Sequence, residues 1–237
     1  MSLLQTADVE RVLAELSRER PVFHSEADFQ LALAFKMQRM YPQLAIRMDR
    51  TEIIDNKKLR IDVVAHQNGQ TTLMELKYLT CALRIQVRFA EEEYEAYNIQ
   101  NHAAQPPYRY KFLKDIRRLE LLVERYMLKG HDAAGYAILL TNDSMYWKEP
   151  SRDEVIDYAF RLHEGRTIAG GEVLQWDKRA SADTKANREQ PIVLHWSYTL
   201  QWRDYSELTP PLAKPVVGRR INHGKFRYLL VRVPPRK

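Results

Sequence analysis

Apolar residues recur at helical spacing near the start of the chain. Val9, Val12, Leu13 and Leu16 fall on one side of a helix predicted over residues 6–19. Ser25 is placed to cap a second helix, from Glu26 to about Met40, that ends before Pro42. Its apolar positions, Phe29, Leu31, Leu33, Phe35 and Met37, make no single stripe, so cover on more than one side is expected. A strand is predicted at 44–50. Two more, 59–66 and 71–79, flank Asn68-Gly69, a dipeptide suited to the two-residue hairpin turn in which both residues take positive φ. Both hairpin faces read as apolar, with Ile61, Val63 and Ala65 on one and Val64, Leu73 and Tyr78 on the other. Such strands lie in the middle of a sheet with helices on both sides.

Beyond the hairpin, Leu83–Phe89 alternates like a strand, and Glu91–Glu93 and Ala103–Pro107 suggest a loop leading to a helix over 108–128. Phe112, Ile116, Leu119, Val123 and Tyr126 line one face of that helix, and Lys111, Lys114, Arg118 and Arg125 another; Gly130 is the stop signal. Residues 134–141 read as a buried strand, 142–144 as a turn, 152–162 as a helix and 178–190 as a polar, mobile loop. Late strands are expected at 192–203 and 226–233. The fold class is α/β: residues 1–24 hold an N-terminal helix, 25–141 a core with a mixed central sheet flanked by helices. Residues 142–237 hold a basic, β-rich extension that completes or flanks it.

Charge inside the hairpin changes this picture. Asp62, Glu75 and Lys77 sit in otherwise apolar strands, where charge is costly unless paired or bound to metal. With Asn68-Gly69 as the turn, Gln67 faces Gln70, and the same register sets Asp62 opposite Glu75 as a non-hydrogen-bonded pair. Lys77 shares their face and Leu76 points away. Facing carboxylates repel, and a divalent cation between them would reverse that penalty; an oxygen donor set suits Mg²⁺ or Mn²⁺. The alternative is that Arg60 and Lys77, which face each other in this register, simply neutralise the two acids.

The chain has 237 residues, enough for one large domain or a domain with an appendage. A single cysteine, Cys81, excludes an intramolecular disulfide or a cysteine-based zinc site and fits a reducing, cytoplasmic setting. No long apolar run predicts a membrane span, and the first residues lack the basic start and apolar segment of a secretory signal. The net charge of +6 is uneven: residues 178–237 hold 13 Lys/Arg against 4 Asp/Glu. A basic stretch is a footprint of nucleic-acid contact, or else a solvated surface.

The order of elements, with Glu26 on the helix before the sheet, Asp62, and Glu75-x-Lys77 after twelve intervening residues, resembles the PD-(D/E)XK nuclease superfamily over residues 25–141. Ile61 stands where many members have proline before the first acid. The resemblance implies a restriction endonuclease-like fold and Mg²⁺- or Mn²⁺-dependent phosphodiester hydrolysis, with DNA as the partner. Asp62, Glu75 and the Leu76 carbonyl would hold the metal, with Glu26 serving a second one. Lys77 would position the attacking water and stabilise developing charge. Lys111, Lys114 and Arg118 would grip flanking phosphates. Cutting both strands calls for a homodimer. A second reading is a catalytically inactive member that binds nucleic acid or a protein; a third is an unrelated metal-dependent hydrolase.

Overall fold

The computed structural model describes residues 3–235 except 55, 56, 92, 103, 153, 217 and 219. Glu92 and Ala103 of the predicted loop, Asp153 of the predicted helix and Arg219, Arg236 and Lys237 of the basic stretch therefore lie outside the described residues.

Helix α1 is Thr6–Glu19, burying Val9, Val12, Leu13 and Leu16 as the spacing predicts. Helix α2 is Glu26–Met40, and the Ser25 hydroxyl accepts from the Asp28 N–H at 3.2 Å as its N-cap. This helix buries one side only. Phe29, Leu33 and Met37, each a turn apart, face the core, while Leu31 and Phe35 are 60% and 64% exposed.

Strands β1 (Ala45–Ile54), β2 (Lys57–Gln67) and β3 (Gln70–Leu79) form an antiparallel meander. Asn68 and Gly69 have φ of 50° and 77°, the two positive values the tight turn requires. The register is as expected from Gln67↔Gln70 to Val63↔Met74 and ends there, so the expected pair of Asp62 with Glu75 is not formed in the β2–β3 ladder. Two side assignments change. Tyr78 lies with Val63, Ala65 and Met74, since it is an even number of residues from Met74. Ile61 packs with Val64 and Leu73 on the opposite face. The alternation slips at Asp62, across from Asp49, which has φ of 51° and breaks the otherwise continuous pairing of β1 with β2.

Strands β4 (Leu83–Ala90) and β5 (Glu93–Ile99) form a second hairpin. The strand β5 escapes periodicity because only Tyr97 and Ile99 are buried along it. Helix α3 is Gln105–Leu128. It begins earlier than expected because Pro106 and Pro107 occupy its first turn, where a missing N–H costs nothing. It is the crossover that lets β6 (Asp132–Thr141) pair parallel to β3.

The C-terminal region departs further from expectation. In place of a helix at 152–162 there is one 3-10 turn, Tyr158–Phe160. The Arg166 guanidinium donates to the Tyr158, Ala159 and Arg161 carbonyls, which ties that turn to the chain following it. Short strands β7 (Thr167–Ile168) and β8 (Val173–Leu174) follow, then a one-turn helix α4 (Ala182–Lys185) capped by Ser181. The 178–190 loop is tied down on both sides: Trp176 Nε1 donates to the Arg188 carbonyl at 2.8 Å and the Tyr110 hydroxyl to the Gln190 carbonyl at 2.9 Å. The strand expected at 192–203 is broken into β9 (Ile192–Val193), β10 (Tyr198–Thr199) and the start of β11 (Trp202–Glu207). The break comes where the His195 and Trp196 N–H groups turn to the Glu120 carboxylate. Strands β12 (Ala213–Pro215) and β13 (Lys225–Val233) complete the chain.

The central sheet is mixed and six-stranded, in the order β1-β2-β3-β6-β13-β11, so the C-terminal strands extend it directly. One face is covered by α1, α2 and the small β12-β4-β5 sheet through Phe23, Phe29, Tyr78 and Ile85. The other is covered by α3 and the 146–200 segment through Leu113, Ile116, Phe160 and Leu194. Trp176 and Trp202 belong to this second core. Among the described residues no helix is long and apolar enough to cross a membrane.

Candidate functional site

Glu75 and Lys77 point from β3 toward α3, while Leu76 and Tyr78 face the other core. Glu75 is 1% exposed. Both its oxygens are held by Arg118, Oε1 by Nε at 3.0 Å and Oε2 by Nη2. Arg118 Nη2 also lies 3.2 Å from Asp115 Oδ1. Asp115 Oδ2 is 3.3 Å from Lys77 Nζ, and Lys77 Nζ is 3.9 Å from Glu26 Oε1. The side chains thus form a chain of alternating charge, Glu75, Arg118, Asp115, Lys77, Glu26. Asp62 joins from β2, its Oδ2 accepting the Leu76 N–H at 2.7 Å. Glu26 Oε2 accepts the Tyr78 N–H at 2.9 Å, which ties the first turn of α2 to β3.

The sequence singled out Asp62, Glu75, Lys77 and Glu26, and the structure brings all four to one locality. It does not pair Asp62 and Glu75 with Arg60 and Lys77: Arg60 meets Asp49 instead, at 3.3 Å. Asp115 is a member of the site that the sequence reading does not include. The signal for it was present, an acid on the apolar side of the helix, three residues after Phe112 and four before Leu119. Of the three expected phosphate-gripping residues, Lys111 and Lys114 are exposed, and neither meets an acid among the described residues; Arg118 is committed to Glu75 and Asp115. Much of the C-terminal basic surplus is also committed, with Arg203 on Glu10, Lys225 on Asp204 and Arg227 on Glu164.

These groups open into a cleft of 640 Å³. Its walls are the start of α2, the end of β3, the residues after β5, and α3. Glu26, Lys77, Asp115, Arg118, Lys111 and Lys114 line it; Asp62 and Glu75 lie behind that wall. His102 also lines it, its Nδ1 accepting from the Thr80 N–H at 3.1 Å, which leaves Nε2 as the protonated nitrogen of the neutral ring.

Four carboxylates share two cations here. Burial pushes the Glu75 carboxyl up to about 9, opposed by Arg118 and reinforced by Asp115 and Asp62. Burial also raises Glu26 and Asp62 above the usual carboxylate range. For Lys77, burial opposes the charged form, but Asp115, Glu26, Asp62 and Glu75 outweigh it and hold the ammonium above its ordinary value. Lys77 is therefore a hydrogen-bond donor and a positive charge at neutral pH, not a proton acceptor. The linkage has a definite sign. A carboxyl raised from 4.5 to about 9 binds its proton more tightly folded than unfolded, so its stabilising contribution is complete below pH 4.5 and is lost as pH rises toward 9. In EDTA, urea midpoints are expected to fall across that window, and Glu75→Gln to flatten the fall; equal slopes for the two proteins would refute the assignment.

The donor set suits a hard divalent cation in kind, being carboxylates and the Leu76 carbonyl with an excess of negative charge. Asp115 Oδ2 is buried with no hydrogen-bond partner. The donors are not gathered for one: among the described residues no three Asp, Glu, His or Cys side chains stand together as a metal site. Arg118 occupies Glu75, and Lys77 Nζ donates to the Leu76 carbonyl at 3.0 Å. Comparison with family models, curated proteins and solved structures returns no match.

Proposed function

We propose that the protein is a metal-dependent nuclease of the PD-(D/E)XK type with a restriction endonuclease-like core, hydrolysing phosphodiester bonds in DNA. The observation that carries this reading is the cluster itself: four carboxylates around Lys77 and Arg118, on the α3 face of the sheet, at the wall of a cleft with two uncommitted lysines. The arrangement of α2, the β1-β2-β3 meander, α3 and parallel β6 supports it.

Asp62, Glu75 and the Leu76 carbonyl would hold Mg²⁺ or Mn²⁺, with Glu26 and Asp115 near enough in the cluster to assist. The cation supplies charge neutralisation at the phosphate and acidifies water. The chain's own residues do the rest. Lys77 donates to the attacking water and to the oxygen on which negative charge grows, an interaction stronger in the transition state than before it. Lys111 and Lys114 hold phosphates on either side of the cut. Arg118, once it leaves Glu75, is a bidentate partner for a phosphate.

The pairing of Arg118 with Glu75 favours one competitor, a protein of the same fold that binds nucleic acid without cutting it. Nicking of supercoiled plasmid and cleavage of labelled single strands decide between them. Cleavage with Mg²⁺ or Mn²⁺ that stops in EDTA is expected. Binding without cleavage under either metal would replace the nuclease reading with that competitor.

A further inference from the structure

Helix α3 has a second groove on its other flank. It measures 720 Å³ and runs between the helix and the 190–195 segment. Lys114 lines this groove and the site cleft alike. At 3.6 residues per turn, Lys111, Asp115 and Arg118 lie to one side of Lys114 on the helix, and Tyr110 and Arg117 to the other. Lys114 is therefore the ridge that separates the two hollows. It is exposed and meets no acid among the described residues.

The two walls of the groove differ in chemistry. On α3, Arg117 keeps 39% of its side chain exposed. Opposite it are Pro191 and Val193, the latter 41% exposed, with Gly170 and Gly171 and the exposed Gln190 and His195 at its margins, so that this wall is mainly apolar. No carboxylate is among the residues that line it. Arg117 Nη1 is 3.1 Å from Glu120, but that carboxylate is already met by the His195 and Trp196 N–H groups and the Tyr198 hydroxyl. The remaining guanidinium N–H groups are available to a ligand, and Glu120 fixes the opposite wall in place.

A cationic wall facing an apolar one suits a nucleotide chain, phosphate toward one and base toward the other. We infer that this groove holds single-stranded nucleic acid leading to or from the site cleft, and that the strand crosses α3 at Lys114. The crossing decides between single strand and duplex. A helix with its side chains is about 10 Å across. A duplex, stiff over about 150 base pairs, does not fold over a ridge of that width, whereas a single strand does. The identity of the ligand rests on the nuclease reading; the groove's shape and charge do not.

The test is fluorescence anisotropy in EDTA, where no cleavage occurs, with labelled single-stranded DNA of about 5 and about 20 nucleotides, spanning the usual site sizes. Val193→Asp places a charge on an exposed position of the apolar wall and is expected to weaken the longer strand roughly tenfold, equivalent to about 1.4 kcal/mol. Arg117→Gln is expected to lower the slope of log affinity against log salt by about 0.7, the value for one phosphate on a single strand. The short strand, and Mn²⁺-dependent cleavage of a small phosphodiester, should be unchanged in both. Wild-type affinity for the long strand in both variants would overturn the groove, as would a duplex that competes equally well. Loss of long-strand affinity in a protein that cleaves nothing would refute the nuclease reading and leave the groove standing. Cleavage with unaltered binding would do the reverse.

Discussion

Lys77→Met is expected to lower metal-dependent cleavage by roughly 10²–10³-fold, the usual cost of removing one preorganised donor from a developing charge. Methionine keeps the unbranched stem, and the side chain of Lys77 is only 18% exposed, so shape is largely conserved while the ammonium is lost. The loss should fall on the turnover rate more than on the substrate concentration for half-saturation, because the donor acts in the transition state. Glu75→Gln should be comparably inactive, since it weakens the metal's ligand and the partner of Arg118 together. Binding of single-stranded DNA in EDTA should survive both changes, because Lys111 and Lys114 remain. The measurement is the initial rate of oligonucleotide cleavage with Mn²⁺ at saturating metal. Rates within threefold of the parent in both variants would sink the catalytic assignment.

The second large effect is on stability and lies away from the site. Arg109 and Asp157 are both 2% exposed, and Arg109 Nη1 meets Asp157 Oδ2 at 2.5 Å. Arg109 Nη2 donates to the Met145 carbonyl at 2.7 Å, and its guanidinium lies 5.3 Å from the Tyr146 ring centre. This one side chain pins the start of α3 to Met145, Tyr146 and Asp157. Arg109→Met leaves Asp157 in the interior with only Arg161, 3.4 Å away and on its other oxygen. The expected cost is about 3–5 kcal/mol, the range for a buried charge stripped of its partner. Removing both charges, as Arg109→Met with Asp157→Leu, should recover much of it, because the desolvation penalty goes with the pair. Urea unfolding followed by circular dichroism measures both. A loss below about 1 kcal/mol in the single variant would show that the pair does not carry this junction.

What could be read from the chain divides along physical lines. The hairpin was legible from its turn out to Val63 and Met74, where Asn68-Gly69 leaves one register, but not at Asp62, where the alternation slips. Helix α1 was legible from its apolar spacing and α2 from its Ser25 cap, both local signals, while the buried side of α2 was not. The strand β5 was not, because with only Tyr97 and Ile99 buried its apolar signal is too thin. The 192–203 segment carried a strand propensity that a distant side chain overrode, Glu120 taking the His195 and Trp196 N–H groups. The site shows the same division. Asp62, Glu75 and Lys77 stood out as charge in a strand core, whereas the weaker signal of Asp115, an acid on the apolar side of a charged helix, was decided only when α3 was laid across β3.

The hydrogen bonds from Leu76 to Asp62 and from Tyr78 to Glu26 have a consequence for how such a protein ages. Both acids stand in for partners that the β3 main chain would otherwise lack, so selection for a foldable chain preserves them whether or not anything is cut. Lys77 Nζ also meets the β3 main chain, at the Leu76 carbonyl, whereas Asp115 is held by side chains alone. If the proposed cleavage were lost, Asp115 is the acid expected to go first, while Asp62 and Glu26 would stay because the fold needs them in either case.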